Sequence, residues 1–363
     1  MHFSCNPSRE DSYMNLRLLF TALLVLGIAG ATAGYGAGDK KVTIRAGHFP
    51  NITHAQGVIG QARGDFEKAY GDNAEVDWKI FTAGPTAVEA LFAGELDITY
   101  IGPNPAINGY IKSQGEALRV VSGAASGGAA FVVRKDAGIK TDKDLGGKKL
   151  ATPAIGGTQD VALRTGLAEK GYKLKEKGGT VEVAPLANPD QLTLFIKKDL
   201  DGAWTVEPWV SRLIVEGGGE IFLDEKDLWP DGEYVTTHII VNAKFLKEHP
   251  DLVKTWLETN LDITNWINEN PEEAKKVLNE EIKKETGKAL PDEVLNAGFP
   301  RIEFTYDPIA SSLYKVAQDA FDIGFLRKKP DLTDIYDLTI LNGILKERGL
   351  EEITVGSPKT AVN

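Results

Sequence analysis

Leu91–Pro103 reads LFAGELDITYIGP, and Leu194–Pro208 reads LFIKKDLDGAWTVEP. The two stretches are versions of one element. Each closes an apolar, helix-like run with a Leu-Asp pair, Leu96-Asp97 and Leu200-Asp201, then passes an aromatic, Tyr100 and Trp204, into a proline-bearing loop. Upstream of each lies a strand, a Gly- or Thr-rich loop and a helix: RAGHFPNITHAQGVIGQARGDFEKAYG from Arg45 and KKLATPAIGGTQDVALRTGLAEKGY from Lys148. Two similar α/β units in one chain predict two lobes that face each other across a cleft. Small ligands favour such clefts, so the pattern points to a binder before it points to a catalyst.

Working outward, the chain alternates strand and helix, which predicts α/β sheets with mainly parallel strands. VTIRAGHF is the first strand, and Val58, Ile59, Ala62, Phe66 and Ala69 share one face of the helix after it. The Gly/Ala/Ser-rich Gly123–Ala130 reads as the first crossing between lobes. YVTTHIIVNAKFL brings the chain back, and the remainder is mainly helical. In residue terms, 42–124 and 245–363 form lobe 1, and 125–244 form lobe 2. Asn270-Pro271-Glu272-Glu273 reads as a helix start, with a cap, an N1 proline and an acidic first turn.

At 363 residues, 42% hydrophobic, the chain is long enough for one large or two medium domains. A net charge of −11 and the absence of any strongly basic stretch argue against nucleic acid as a partner. Leu18–Ile28 is an apolar run preceded by Arg17 and followed by Ala31-Thr32-Ala33, the pattern of a signal peptide over residues 1–33. Met14 is the expected translation start. That would remove Cys5, the single cysteine, and leave an exported, thiol-free protein.

Three loops stand where strands end and helices begin: Pro50–His54, Thr82–Thr86 and Ile155–Gln159. In open α/β sheets, ligands bind beyond the carboxyl ends of the strands. Helix N-termini there offer free N–H groups and about half a positive charge each. Several converging ends could hold an oxyanion without lysine or arginine, and these loops are rich in Thr, Asn and Gly and poor in basic residues. Each loop alone is equally readable as a plain turn and cap. Phe49, Tyr100, Trp204 and Trp209 could line an apolar wall, with Tyr100 the best candidate for simple core. Glu207 could receive an amine or be a solvated loop carboxylate. His48 and His54 flank a turn where a metal pair is the alternative to structural histidines. There is no HExxH, CxxC, G-x-S-x-G or complete Walker A sequence, so no cofactor or metal is expected.

Taken together, GHFPNITHAQ, TAGPTAVEALFAGELDITYIGPNPAI, GGAAFVVRKDAGIKTDKDLGGKKLATPAIGGTQD and DGAWTVEPW resemble the periplasmic substrate-binding proteins of ABC transporters, nearest the nitrate/sulfonate/taurine type. The resemblance runs from about Val42 to about Asn268. It implies a type II periplasmic-binding fold: two α/β lobes, a two-strand hinge, a helical C-terminal part, and closure around a ligand presented to a permease. Carried over as loops, the implied ligand-facing positions are Asn51, Thr53 and His54, then Gly84, Pro85 and Thr86. Gly102, Pro103 and Asn104 follow, with Ser126, Gly127 and Gly128 at the crossing. The second lobe adds Gly156, Gly157, Thr158 and Gln159, then Trp204, Thr205 and Glu207. No arginine clamp stands in these loops.

The leading expectation is a periplasmic receptor, a monomer, for a small organic anion, an alkanesulfonate or taurine first and nitrate or bicarbonate second. A receptor for a thiamine-pyrimidine precursor, which ring-sandwiching aromatics and Glu207 pairing a ring amine would favour, and a solute sensor, which gene neighbourhood would settle, are alternatives. An enzyme on the same fold is the remaining class, and the leader sequence speaks against it.

Overall fold

The computed structural model describes residues 41–356. The segment read as a signal peptide, together with Cys5 and Met14, lies outside them. Two mixed sheets carry the chain. The first comprises β1 (Val42–His48), β2 (Ala74–Ile80), β3 (Ile98–Ile101), β4 (Leu118–Gly127), β10 (Val235–Asn242) and β11 (Ile302–Phe304), in the order β11-β4-β10-β3-β1-β2. The second comprises β5 (Ala129–Arg134), β6 (Lys149–Thr152), β7 (Glu182–Pro185), β8 (Gly202–Val206) and β9 (Gly219–Asp224), in the order β7-β6-β8-β5-β9.

Each sheet has the same plan. Three parallel strands (β2-β1-β3 and β7-β6-β8) meet an antiparallel strand (β10 and β5) that arrives from the other lobe. The expectation of mainly parallel strands is therefore corrected: the ladders beyond β3 and β8 are antiparallel, because a strand entering from the opposite lobe runs against those built within it.

Helices cover both faces. Lobe 1 carries α1 (Ala55–Arg63), α2 (Asp65–Tyr70), α3 (Gly84–Phe92) and α4 (Pro103–Lys112). Lobe 2 carries α5 (Thr158–Glu169), α6 (Asn188–Ile196) and α7 (Trp209–Val215). The C-terminal part is helical as expected: α8 (Ala243–Glu248), α9 (Pro250–Glu269), α10 (Pro271–Thr286), α11 (Asp292–Gly298), α12 (Ala310–Asp322) and α13 (Thr339–Glu347). Strand alternation sorts the core to the two faces. On β10, Ile239 and Val241 join the layer with α1, α9 and α10, where Trp256 stacks on Phe66 at 3.9 Å, while Ile240 joins the layer with α3, α4 and α12. On β5, Phe131 and Val133 face one cluster and Ala130 and Val132 the other. Asn270 precedes α10 but does not cap it; its amide donates back to Trp266 O in the last turn of α9.

The repeat has an atomic basis. Asp97 donates its N–H to Arg45 O and accepts Arg45 N–H on its carboxylate at 2.9 Å. Asp201 does the same with Lys149, also at 2.9 Å. The separation is 52 residues in both cases. The carbonyls of Asp97 and Asp201 then accept Asn242 N–H and Arg134 N–H from the incoming antiparallel strands β10 and β5. Each Leu-Asp pair thus joins the central parallel strand of its lobe to the crossing strand, while Leu96 and Leu200 are buried beside it.

The first crossing is narrower than Gly123–Ala130. Strand β4 continues to Gly127, and the turn is made by Gly127 (φ 81°) and Gly128 (φ 76°), a left-handed pair that suits glycine. The return falls before Val235, not at 244, because β10 is hydrogen-bonded along both edges within the first sheet. The crossing segments are tied side by side. Tyr234 N–H reaches Ser126 Oγ (3.4 Å), Ala129 N–H reaches Tyr234 Oη (3.1 Å), and Thr236 Oγ1 donates to Gly127 O (2.6 Å).

Candidate functional site

A chamber of about 60 Å³ lies between the lobes, at the carboxyl ends of the parallel strands. The first turns of four helices border it: α3 at Gly84 and Pro85, α4 at Gly102 and Pro105, α5 at Gly157, Thr158 and Gln159, and α6 at Asn188. Their N-cap residues are Ala83, Gly102, Gly157 and Ala187, none of which makes a side-chain cap. Elsewhere Asn242 does cap α8, accepting from Lys244 and Phe245 N–H. A helix start without an internal cap leaves N–H groups for water or a ligand, as at α3, α5 and α6; at α4 two prolines remove donors and Asn104 N–H is taken by Thr158 Oγ1 at 3.5 Å. Prolines in the first turns of α3, α4 and α6 remove only donors that the helix would not use.

The side chains are set as donors. Asn51 Oδ1 accepts from Trp209 Nε1 (3.2 Å), leaving its NH₂ for the chamber. Asn188 Oδ1 accepts from Thr205 Oγ1 (3.0 Å) and Gln191 Nε2 (3.2 Å), with the same result. His54 Nδ1 accepts Phe49 N–H (3.4 Å), so the proton of the neutral ring sits on Nε2. Burial, helped by nearby His48, pushes His54 well below the ordinary histidine range, which keeps it neutral at physiological pH. The Thr237 hydroxyl is buried at the chamber wall and has no hydrogen-bond partner among the described residues. Among the described residues, no Asp, Glu, Lys or Arg lines the chamber. Its positive character comes from helix ends and N–H dipoles alone.

Of the sequence-expected positions, the structure brings Asn51, Thr53, His54, Gly84, Pro85, Gly102, Gly157, Thr158 and Gln159 to this chamber. The others stand elsewhere. Thr86 is exposed and donates to Ala83 O; Pro103 is buried in the first turn of α4; Asn104 donates toward Val316 O. Ser126, Gly127 and Gly128 belong to the hinge. Gly156 lies just outside, its carbonyl accepting from Asn108 Nδ2 across the lobes (3.1 Å). Thr205 acts through Asn188.

Two expectations are corrected. Trp204 is a core residue, 2% exposed, stacked at 5.8 Å on Phe131 and donating to Glu225 Oε2 at 2.7 Å. It sits mid-strand, and Val206 at the strand end reaches the chamber instead. Glu207 is neither a ligand acceptor nor a solvated loop carboxylate. It is fully buried, holds Ser211 N–H and Oγ at 3.1 and 3.0 Å, and faces Arg301 Nε at 3.0 Å. Arg301 also meets Asp224 at 3.0 Å, so this cluster ties the start of β11 in the first sheet to the second lobe. Burial pushes Glu207 up to about 7 despite these partners. Asn188, Thr236 and Thr237 were missed. Asn188 was findable, since α6 starts 104 residues after α3 (188 against 84) and is its counterpart in the repeat.

Glu225 supplies a test of the buried framework. Burial pushes it up to about 7. A carboxyl raised above its unfolded value of about 4.3 contributes stability that is full below that value and is lost as pH rises to about 7. Glu225→Gln keeps the acceptor for Trp204 and removes the charge. It is expected to raise Tm by about 2–6 °C at pH 8, with the gain disappearing by pH 4. Equal effects at both pH values would show that Glu225 is not titrating in this range.

No helix of the described residues is long and apolar enough to cross a membrane. A model of the NMT1-like family matches residues 37–280. A Bacillus subtilis (strain 168) protein named for binding aliphatic sulfonates is 27% identical over 92% of this chain and 98% of its own. The taurine-binding periplasmic protein of Escherichia coli (strain K12) is 28% identical over 59% of this chain and 63% of its own. Among solved structures, the alkanesulfonate-binding protein SsuA from Xanthomonas axonopodis pv. citri, bound to MOPS, superposes with a TM-score of 0.67. It is 17% identical, covering 80% of this chain and 96% of its own.

Proposed function

The chain belongs to the NMT1-like family, and on that premise we propose that it is a periplasmic receptor, acting as a monomer, that captures a small organic anion of the alkanesulfonate class between its lobes and delivers it to an ABC permease. The orientation of the chamber's polar groups carries this reading. Both asparagine amides have their oxygens held by neighbours, His54 keeps its proton on Nε2, and the uncapped starts of α3, α5 and α6 border the same space. Several converging donors and no side-chain charge suit a permanently ionised oxyanion, whose binding would then vary little between pH 6 and 8. The family relatives named for aliphatic sulfonates and taurine point to the same ligand class.

The volume of about 60 Å³ favours a second reading as well, a small inorganic anion such as nitrate filling the chamber alone. Thermal shifts on protein stripped of ligand by unfolding and refolding separate the two. Ligand at about 1,000 times its Kd stabilises by roughly 4 kcal/mol, a rise of several degrees. A rise with sulfonates and not with nitrate or bicarbonate is the expected result. A rise confined to nitrate would transfer the assignment, and no rise with any of these anions would end the receptor reading.

A further inference from the structure

Beside the chamber lies a second interlobe cavity of about 280 Å³. The two share Phe49, Asn51, Thr82 and Asn188, so they adjoin. Their characters differ. The chamber is small and lined with donors. The second cavity is walled largely by apolar groups, Trp209 and Leu290 among them, and among the described residues no carboxylate lines it. Trp209 is fixed in place, since its Nε1 donates to Asn51 and the Arg212 guanidinium lies 4.6 Å from its ring centre. Arg212 is in turn paired with Glu216 at 2.5 Å, and Lys288 adds a second cation to the wall.

From this juxtaposition we infer that the ligand has two parts: an oxyanion head in the chamber and an uncharged alkyl or aryl tail in the second cavity, with Trp209, Ala289 and Leu290 as specificity-determining residues. The inference rests on the receptor reading above and narrows it. An apolar cavity of about 150 Å³ accommodates benzene, so about 280 Å³ leaves ample room for a chain of several carbons or a ring. A ligand confined to the chamber would leave this apolar space without an occupant. Taurine fits poorly, because its ammonium would enter a cavity without a carboxylate and beside Arg212 and Lys288.

The experiment is calorimetric titration of the refolded, ligand-stripped protein with methane-, propane-, butane- and hexanesulfonate, benzenesulfonate and taurine. Kd is expected to fall about fourfold for each methylene added, and taurine to bind at least about tenfold more weakly than propanesulfonate, its equal in heavy atoms. Ala289→Phe, at a residue that lines the second cavity and not the chamber, is expected to abolish the length dependence. The unmutated series decides the matter even if that variant folds poorly. Methanesulfonate binding with affinity flat in chain length, or taurine binding as well as propanesulfonate, would overturn the tail site and leave the receptor intact. Ala289→Phe weakening every sulfonate equally would also overturn it. Failure of every sulfonate to bind would overturn the receptor reading, and the tail site with it.

Discussion

Asp97→Ala is expected to lower the unfolding free energy by about 3 kcal/mol, seen as a fall in Tm of roughly 6 °C for a chain of this size. The carboxylate is 3% exposed and is held by three donors of one residue. It accepts Arg45 N–H at 2.9 Å, Arg45 Nε at 2.8 Å and Arg45 Nη2 at 2.7 Å. Removing it leaves the strand N–H of Arg45 without its partner and takes the counter-charge from the guanidinium. The cost stays near the lower end for a buried pair because the Arg45 side chain is 36% exposed and can regain water. Asp201→Ala removes the equivalent clamp in the second lobe. There the carboxylate is 23% exposed, and Arg134 keeps Asp136 as a partner, so about half the effect is expected. Denaturant unfolding of both variants checks this. A loss below about 1 kcal/mol for Asp97→Ala, or a larger loss for Asp201→Ala, would mean that the repeated Leu-Asp pair does not hold the sheets together.

Gly102→Val is expected to weaken anion binding at least about 100-fold, close to 3 kcal/mol, with little change in the melting temperature of the ligand-free protein. The backbone of Gly102 is ordinary, with φ −71°, so the constraint is space and not conformation. A Cβ there would stand 2.8 Å from Thr158 Oγ1. Gly102 precedes α4 of lobe 1, and Thr158 begins α5 of lobe 2. The substitution therefore acts as a wedge between the lobes while both cores stay intact. Titration shows the lost affinity, and small-angle scattering at saturating ligand is expected to show a protein more open than the unmutated one. Unchanged affinity would mean that the lobes do not approach this closely around the ligand.

These two residues mark how far the sequence reaches. Asp97 and Asp201 stand out in the chain because the clamp is written twice at the same spacing, and both occurrences fold into the same pair of hydrogen bonds. The helix starts around the chamber are legible for a related reason. Gly, Pro and Thr at a first turn have local conformational causes, so nine of the expected positions reach the site. Side chains on strands are less legible. Alternation says that Trp204 and Thr205 point to opposite faces, but not which face is core, and the answer rested on Phe131 stacking on the indole and Glu225 accepting its N–H.

The longest-range partners are the least legible of all. The resemblance implies a ligand-facing loop position for Glu207, yet its partner Arg301 comes from the C-terminal helical part, brought to the hinge by β11 pairing with β4. The exposed hydroxyl of Thr86 and the donor set of Asn188 likewise depend on what packs beside them. The sequence by itself determined the two lobes, the helix starts that surround the chamber and the lack of charge in the loops, because repeats, periodicity and turn chemistry are local. Only the tertiary structure decided which amide oxygens are held, where the chain returns to lobe 1, which carboxylate is buried and that a second cavity adjoins the first. Those outcomes are set by contacts between residues far apart in the chain, and local preference does not encode them.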